Sequence, residues 1–237
     1  NADTRIIDLS QDFRLAANAD QFGRKFVYGL PEKNIEQIKT AKSIANPGCF
    51  ATAIQLAVLP LAAKGLMNEV HVTGITGSTG AGQKLQASSH FSWRANNIEA
   101  YKSLAHQHIK EITETVNALQ AGAPAINFIP WRGDFTRGIY VSAYTKCDLS
   151  LEDAYELYQS YYADAAFTFV SYKMINLKQV VNTNKCLVHL EKEGDKLIIH
   201  AAIDNLLKGA SGQAVQNMNI MFGLPQTDGL KLKSISF

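Results

Sequence analysis

Two periodicities share this chain. Arg5-Ile6-Ile7-Asp8-Leu9 and Ser43-Ile44-Ala45 are short apolar runs that read as buried strands. Glu69-Val70-His71-Val72-Thr73 alternates and is β-branched, which predicts a strand, as do residues 125–129 and 138–146. Residues 186–191 and 196–203 form a hairpin around Glu193-Gly194-Asp195, and Val180-Val181 reads as a further short strand of that sheet. Helical spacing appears elsewhere. The apolar run 54–61 follows the breakers Pro47 and Gly48 and predicts a helix that opens at Cys49 and ends near Pro60 or Gly65. In residues 101–119, Leu104, His108, Ile112, Thr115 and Leu119 fall on one face of a predicted helix. Ser150-Leu151-Glu152-Asp153 is a capping box that opens a helix to about Tyr162, and a last helix covers residues 210–221 and ends at Gly223. Residues 10–14, 28–32 and 77–82 read as loops. Strands and helices mix without strict alternation, which predicts an α+β domain.

The first strand has almost nothing before it, whereas a buried strand has neighbours on both sides, so a missing N-terminal portion is expected. The 237 residues, 46% hydrophobic and 19% charged, suffice for one large domain or two small ones. A net charge of +2, with no basic patch interleaved with aromatics, argues against a nucleic-acid partner. The three cysteines are odd in number and well separated, so they predict neither a disulfide framework nor a zinc site but a reducing, cytoplasmic compartment. The most apolar stretch, 50–63, contains Gln55 and Pro60 and is too short to span a bilayer, so no membrane partner is expected.

Cys49 stands out. A thiol on the first turn of a helix faces unpaired N–H groups and the positive end of the dipole, and both favour the nucleophilic thiolate; the alternative is a buried small hydrophobe. The glycine-rich loop misses both phosphate motifs. Gly77 and Gly82 have P-loop spacing, but Gln83 precedes Lys84, and Leu85 occupies the third glycine of a dinucleotide fingerprint. His106 and His108, two apart on the predicted helix, point roughly 160° from each other, so one at most faces a given site squarely, and this spacing argues against a metal. Either is a candidate acid or base beside Cys49, and Glu111 lies where it would orient His108. Arg14 and Arg137 follow polar loops and suit capture of phosphate or carboxylate, or a surface ion pair.

Together these segments resemble N-acetyl-γ-glutamyl-phosphate reductase, a relative of aspartate-semialdehyde dehydrogenase. The resemblance is carried by Asp8-Leu9-Ser10-Gln11-Asp12-Phe13-Arg14-Leu15, by Tyr28-Gly29-Leu30-Pro31-Glu32, by Asn46-Pro47-Gly48-Cys49-Phe50-Ala51-Thr52 and by Gly80-Ala81-Gly82. His106-Gln107-His108 with Glu111-Ile112, and the segment from Asp204-Asn205 to Gln216-Asn217, complete it. It implies an α+β catalytic domain of the glyceraldehyde-3-phosphate dehydrogenase-like type (residues 49–204), preceded by the remnant of an α/β Rossmann domain (1–48) and followed by a closing helix (205–237). It implies NADPH-dependent reduction of an acyl phosphate to a semialdehyde through a thioester on Cys49, with His108 or His106 as acid and base. Arg14, Asn46, Glu111 and Arg137 would bind substrate; Gly80, Ala81, Gly82, Asn205 and Gln213 would face NADPH. A homo-oligomer is expected, and no metal. Departures are Gln83 and Gln107, where arginine is usual, and Trp131-Arg132-Gly133-Asp134 in a stretch expected to line the substrate pocket. An N-succinyl-glutamyl or aspartyl phosphate, or an inactive truncated fragment, is therefore the alternative. The family's dinucleotide loop is missing, so weak NADPH binding is expected.

Overall fold

A computed structural model describes residues 3–236. A small sheet contains β1 (Ile6–Asp8), β2 (Asp20–Gln21), β3 (Arg24–Tyr28) and β4 (Ser43–Ala45), with α1 (Pro31–Thr40) linking β3 to β4. Its order is β1-β4-β3-β2, and β4 pairs in parallel with both β1 and β3. The sequence reading leaves residues 28–32 as a loop and misses β3 and α1. In β3 the apolar residues Phe26, Val27 and Tyr28 are consecutive and do not alternate, and α1 buries only Pro31, Asn34 and Ile38. The legible signal was Pro31 at the first helical position, where a missing N–H costs nothing.

The chain then enters α2 (Cys49–Ala63), β5 (Val70–Thr76), the single-turn α3 (Phe91–Arg94), β6 (Glu99–Ala100), α4 (His108–Asn117), β7 (Ile126–Arg132) and β8 (Ile139–Lys146). It ends with α5 (Leu151–Tyr161), β9 (Thr168–Ser171), β10 (Cys186–Glu193), β11 (Lys196–Ile203) and α6 (Gly212–Met221). The large sheet has the order β6-β7-β5-β8-β11-β10-β9 and is mixed: β5 pairs in parallel with β7 and antiparallel with β8. Short, alternating strands with segregated helices make this the expected α+β architecture.

Helix α2 is the centre of the molecule. Every residue from Phe50 to Ala62 is buried, the mark of a helix surrounded by protein. It runs through Pro60 and stops before Gly65, whose φ is +68°. Proline at position 60 cannot donate to the Leu56 carbonyl. The Tyr162 hydroxyl donates to it instead, at 2.6 Å, and the Tyr158 hydroxyl donates to the Ala57 carbonyl at 2.6 Å. Among the described residues no helix is long and apolar enough to cross a membrane.

Two expectations are corrected. The helix predicted for 101–119 begins only at His108, because Lys102 and Leu104 adopt φ of +48° and +57° and break the helical path. Leu104 is consequently exposed rather than on the apolar face. Val180-Val181 is not a strand. It follows a 3-10 turn at Leu177–Gln179, and Asn182, at φ +69°, turns the chain so that its N–H donates to Asp204 at 2.7 Å.

Between β11 and α6 lies a π turn, Leu207–Ser211, so the closing helix starts two residues later than predicted. From α6, the Asn217 amide donates to the Gly29 carbonyl at 2.8 Å and to Asn46 Oδ1 at 3.1 Å, tying the helix to the small sheet.

Candidate active site

Strand β4 delivers the chain through Asn46-Pro47-Gly48 to the first residue of α2, so Cys49 occupies the helix N-terminus as expected. It lines a cleft of about 700 Å³ shared with Arg14, His106, His108, Gly80, Ala81, Gly82 and Asn205. Its surroundings oppose the thiolate that helix position alone favours. Burial pushes the thiol up to about 11, outweighing the N–H groups of Phe50 and Cys49 and the Arg14 charge that pull the other way.

Both histidines face this cleft. The predicted divergence fails because residue 106 precedes the helix and is free of helical geometry. Their rings lie 4.6 Å apart, and the His108 N–H donates to His106 Nδ1 at 3.2 Å, which places the proton of a neutral His106 on Nε2. His106 packs edge-on against Phe50, Tyr101 and Phe128. Burial, then the Lys102 charge, lowers it to about 4. His108 is held well below its usual value, first by burial, then by His106, Arg14 and Lys102. The resting groups are thus a thiol and two neutral imidazoles.

His108 sits directly against the residue before the nucleophile. A Cβ on Gly48 would lie 2.3 Å from His108 Nε2. Glycine is required here for space, not conformation, since its φ is −68°. Gly209, in the π turn, closes the other side: a Cβ there would be 2.8 Å from the Cys49 Cβ.

Glu111 does not orient His108. Its Oε1 is 3.9 Å from Nε2, beyond hydrogen-bond range. Instead it accepts from Arg14 at 3.1 Å, from the Tyr28 hydroxyl at 2.7 Å and from the Gly48 N–H at 3.2 Å. Burial raises its pKa, opposed mainly by Arg14. Glu111 thereby anchors the nucleophile loop and does not line the cleft. Arg14 does line it, and also donates to the carbonyls of Asn46 and Leu9, both at 2.9 Å. With Glu111, three of its five N–H donors are used, leaving two for a ligand.

Three further predicted residues lie off the cleft. Asn46 is buried, donating to the Ala210 carbonyl at 3.1 Å and accepting from Asn217. Arg137 pairs with the buried Asp204 at 3.0 Å. Gln213 is buried, and its amide donates to Thr52 Oγ1 at 3.1 Å. All three brace the backbone around the cleft, because their polar ends are turned to neighbouring segments. Asn205 bridges two of those segments, accepting from the Gly138 N–H at 2.6 Å and donating to Thr79 Oγ1 at 3.0 Å. Tyr101, Arg132 and Gly209 line the cleft without having been singled out as site residues. Arg132 lies in the stretch expected to line the pocket and Gly209 in the 204–217 segment, but no motif points to either residue individually or to Tyr101; they arrive from a strand end, a turn and a loop.

A family model described as semialdehyde dehydrogenase, dimerisation domain, matches residues 49–205. The N-acetyl-γ-glutamyl-phosphate reductase of Christiangramia forsetii is 60% identical over 98% of this chain and 71% of its own length. That of Azobacteroides pseudotrichonymphae is 58% identical over 100% of this chain and 73% of its own. The chain belongs to the N-acetyl-γ-glutamyl-phosphate reductase family. Among solved structures, aspartate semialdehyde dehydrogenase II from Vibrio cholerae superposes with a TM-score of 0.69 over 92% of this chain and 72% of that one. At 16% identity that likeness establishes the fold, which is the expected glyceraldehyde-3-phosphate dehydrogenase-like α+β type.

For a reductase of this family the Gly48 contact has a measurable consequence. Gly48→Ala is expected to push the His108 ring away and lower turnover by about 10²-fold, the cost of a misplacement near 1 Å. The thermal midpoint should change far less than for a core cavity. Steady-state kinetics and a melt of the same preparation check both.

Proposed function

We propose that this chain carries out the NADPH-dependent reductive dephosphorylation of N-acetyl-γ-glutamyl phosphate to N-acetylglutamate semialdehyde, a step of arginine biosynthesis, with Cys49 as nucleophile. The observation that carries the assignment of roles is the contact of a neutral His108 with the residue before a helix-terminal cysteine, inside a cleft that also holds the glycine loop. In this reading residues 49–204 are the catalytic unit, and residues 1–48 with 205–237 face the cofactor-binding part. The dimerisation family model supports a homo-oligomer, and three free cysteines support a reducing, cytoplasmic setting.

The protonation states dictate the order of events. Because Cys49 rests as a thiol and His108 as a neutral imidazole, the proton leaves Sγ for His108 as the sulfur attacks the acyl carbon. The N–H groups of Phe50 and Cys49 at the helix start, which bear on Sγ in the resting state, can stabilise the oxyanion as phosphate departs. The two remaining donors of Arg14 can hold that phosphate. The product on the protein is a thioester of Cys49, and His108 keeps the proton for return to oxygen or sulfur. Gly80 and Gly82 line the cleft beside Asn205 and fit a nicotinamide: Gly82 has φ +77° and open space where a Cβ would sit, so bare backbone meets the cleft there, while glycine at 80 is required by Thr76, whose Oγ1 a Cβ would meet at 2.9 Å. When bound, NADPH supplies hydride.

The decisive test is direct acylation. Protein mixed with N-acetyl-γ-glutamyl phosphate and quenched in acid should carry one acyl adduct, on the Cys49 peptide, by mass spectrometry. An adduct on another residue, or none, would refute the assignment. His108→Ala should slow formation of that adduct by about 10²–10⁴-fold. His106→Ala should act mainly on the concentration of acyl phosphate needed, since His106 has ring contacts rather than a contact with Gly48. The reverse pattern would exchange their roles.

A further inference from the structure

Arg132 is a buried cation with too few partners. It ends β7, in register with Glu99 of β6 and Thr76 of β5, and it lines the same cleft as Cys49. The residue is only 9% exposed. Its Nη1 donates to Ser88 Oγ at 3.3 Å and lies 3.8 Å from Glu99, too far for a hydrogen bond. Its Nε is buried and makes no hydrogen bond at all. The guanidinium rests on the Tyr101 ring, 4.8 Å from the centroid. A second buried cation backs this wall: Arg94 donates to the carbonyl of Gly133, and its Nε and Nη1 have no partner. Glu99 balances the charge of Arg132 at ion-pair range on the Nη1 side only, and a buried N–H such as Nε is costly until an acceptor meets it.

The position of Arg132 says what that anion is. A chain of rings separates it from the acid–base pair: His108 to His106 at 4.6 Å, His106 to Tyr101 at 5.8 Å, then Tyr101 to the guanidinium at 4.8 Å. The departing phosphate must lie beside Cys49, where Arg14 has donors to spare. Arg132 therefore meets the end of the substrate remote from the reacting carbon. In an N-acyl-γ-glutamyl phosphate that end carries the α-carboxylate, separated from the acyl carbon by two methylenes and the α-carbon, and a further carboxylate if the N-acyl group is a dicarboxylic one.

We propose that Arg132 receives a substrate carboxylate and thereby sets which acyl phosphates the cleft accepts. Planar, forked guanidinium donors match a carboxylate, whereas lysine offers a point charge. Tyr101 holds the fork flat, and Glu99 and Ser88 hold its outer edge. The proposal rests on the acyl-phosphate reading above, and its test separates the two.

The experiment is the rate of Cys49 acylation as a function of concentration for three compounds: N-acetyl-γ-glutamyl phosphate, its α-carboxamide, and N-succinyl-γ-glutamyl phosphate. If the α-carboxylate is the ligand, the carboxamide needs about tenfold or more concentration than the acid in the wild-type protein. Arg132→Gln then raises the requirement for both carboxylic acids by a similar factor and leaves the carboxamide unmoved, with smaller effects on the maximal rate. If the acyl carboxylate is the ligand, Arg132→Gln weakens the succinyl compound alone. Arg132→Lys, which keeps the charge but loses the fork, should fall between wild type and glutamine. The carboxamide comparison needs no variant and stands even if Arg132→Gln fails to fold. Equal effects of Arg132→Gln on all three compounds, or none, would overturn the role of Arg132 while leaving the function standing. Absence of any adduct in the wild type would overturn both.

Discussion

Replacing Cys49 by serine should abolish the acyl adduct and reduce turnover by more than about 10³-fold, with an unchanged melting temperature, since the exchange is nearly isosteric. The pH dependence of the native thiol gives a sharper test of its environment. Burial holds it near 11, so the thiolate fraction grows about tenfold for each pH unit between 7 and 9, and alkylation by iodoacetamide should climb in step. Position at the helix start, taken alone, favours a thiolate and hence rapid labelling at neutral pH. That expectation is corrected, because loss of hydration costs the anion more than the first-turn N–H groups return. Among the three thiols Cys49 should still react first. Cys147 and Cys186 are fully enclosed, and burial raises Cys186 further still. A labelling rate already flat from pH 6 upward would mean a preformed thiolate–imidazolium pair and would overturn the neutral resting state.

Lys208→Met should destabilise the fold by about 3–5 kcal/mol, the usual consequence of leaving one partner of a buried ion pair alone. Lys208 Nζ lies 2.7 Å from Glu32 Oε1, both side chains are buried, and it also donates to Gln216 at 3.0 Å. Glu32 accepts in addition from the Thr168 hydroxyl at 2.7 Å. One ion pair thus fastens α1, β9 and the π turn whose Gly209 packs on Cys49. The sign of its pH dependence follows. Burial pushes Glu32 up, but the Lys208 charge and hydrogen bonds leave it below its usual value. The native pair therefore contributes stability that is complete above the unfolded carboxyl value, roughly pH 4.5, and is lost as pH falls through the depressed folded one. In Lys208→Met burial, the largest influence, is opposed only by the Thr168 and backbone hydrogen bonds, so the Glu32 value rises and stability should instead decline as pH rises from 5 to 7. Denaturant titrations of both proteins at the two pH values would show the reversal, and adding Glu32→Gln should remove it. Parallel profiles would mean that the pair contributes nothing specific.

Tertiary structure decided these electrostatics, and it also decided which of the candidate residues reach the cleft. Local pattern was enough wherever the determinant is local. Pro47-Gly48 breaks the chain and the apolar run behind it opens a helix, so the place of Cys49 at a helix start was legible. So were the alternating strands β5, β7, β8, β10 and β11, the capping box of α5 and the turn at Gly194. Family motifs in the sequence marked Cys49, the two histidines, Arg14, Asn205 and the glycine loop. What failed were inferences that needed partners distant in the chain. The histidine spacing presupposed a helix that Leu104 breaks. Glu111, close to His108 in sequence, was drawn instead to Arg14 and Tyr28, 97 and 83 residues away. Asn46 and Gln213, polar and motif-bound, were used inside because the backbone there needs donors and acceptors. Arg132 was legible only as part of the departing stretch 131–134 expected to line the pocket; its own role needed the sheet that buries it beside Tyr101. Periodicity and breakers act over a few residues, and so can be read in order along the chain. Burial, which shifted the thiol and both imidazoles and left Arg132 short of partners, exists only once distant segments have closed over them.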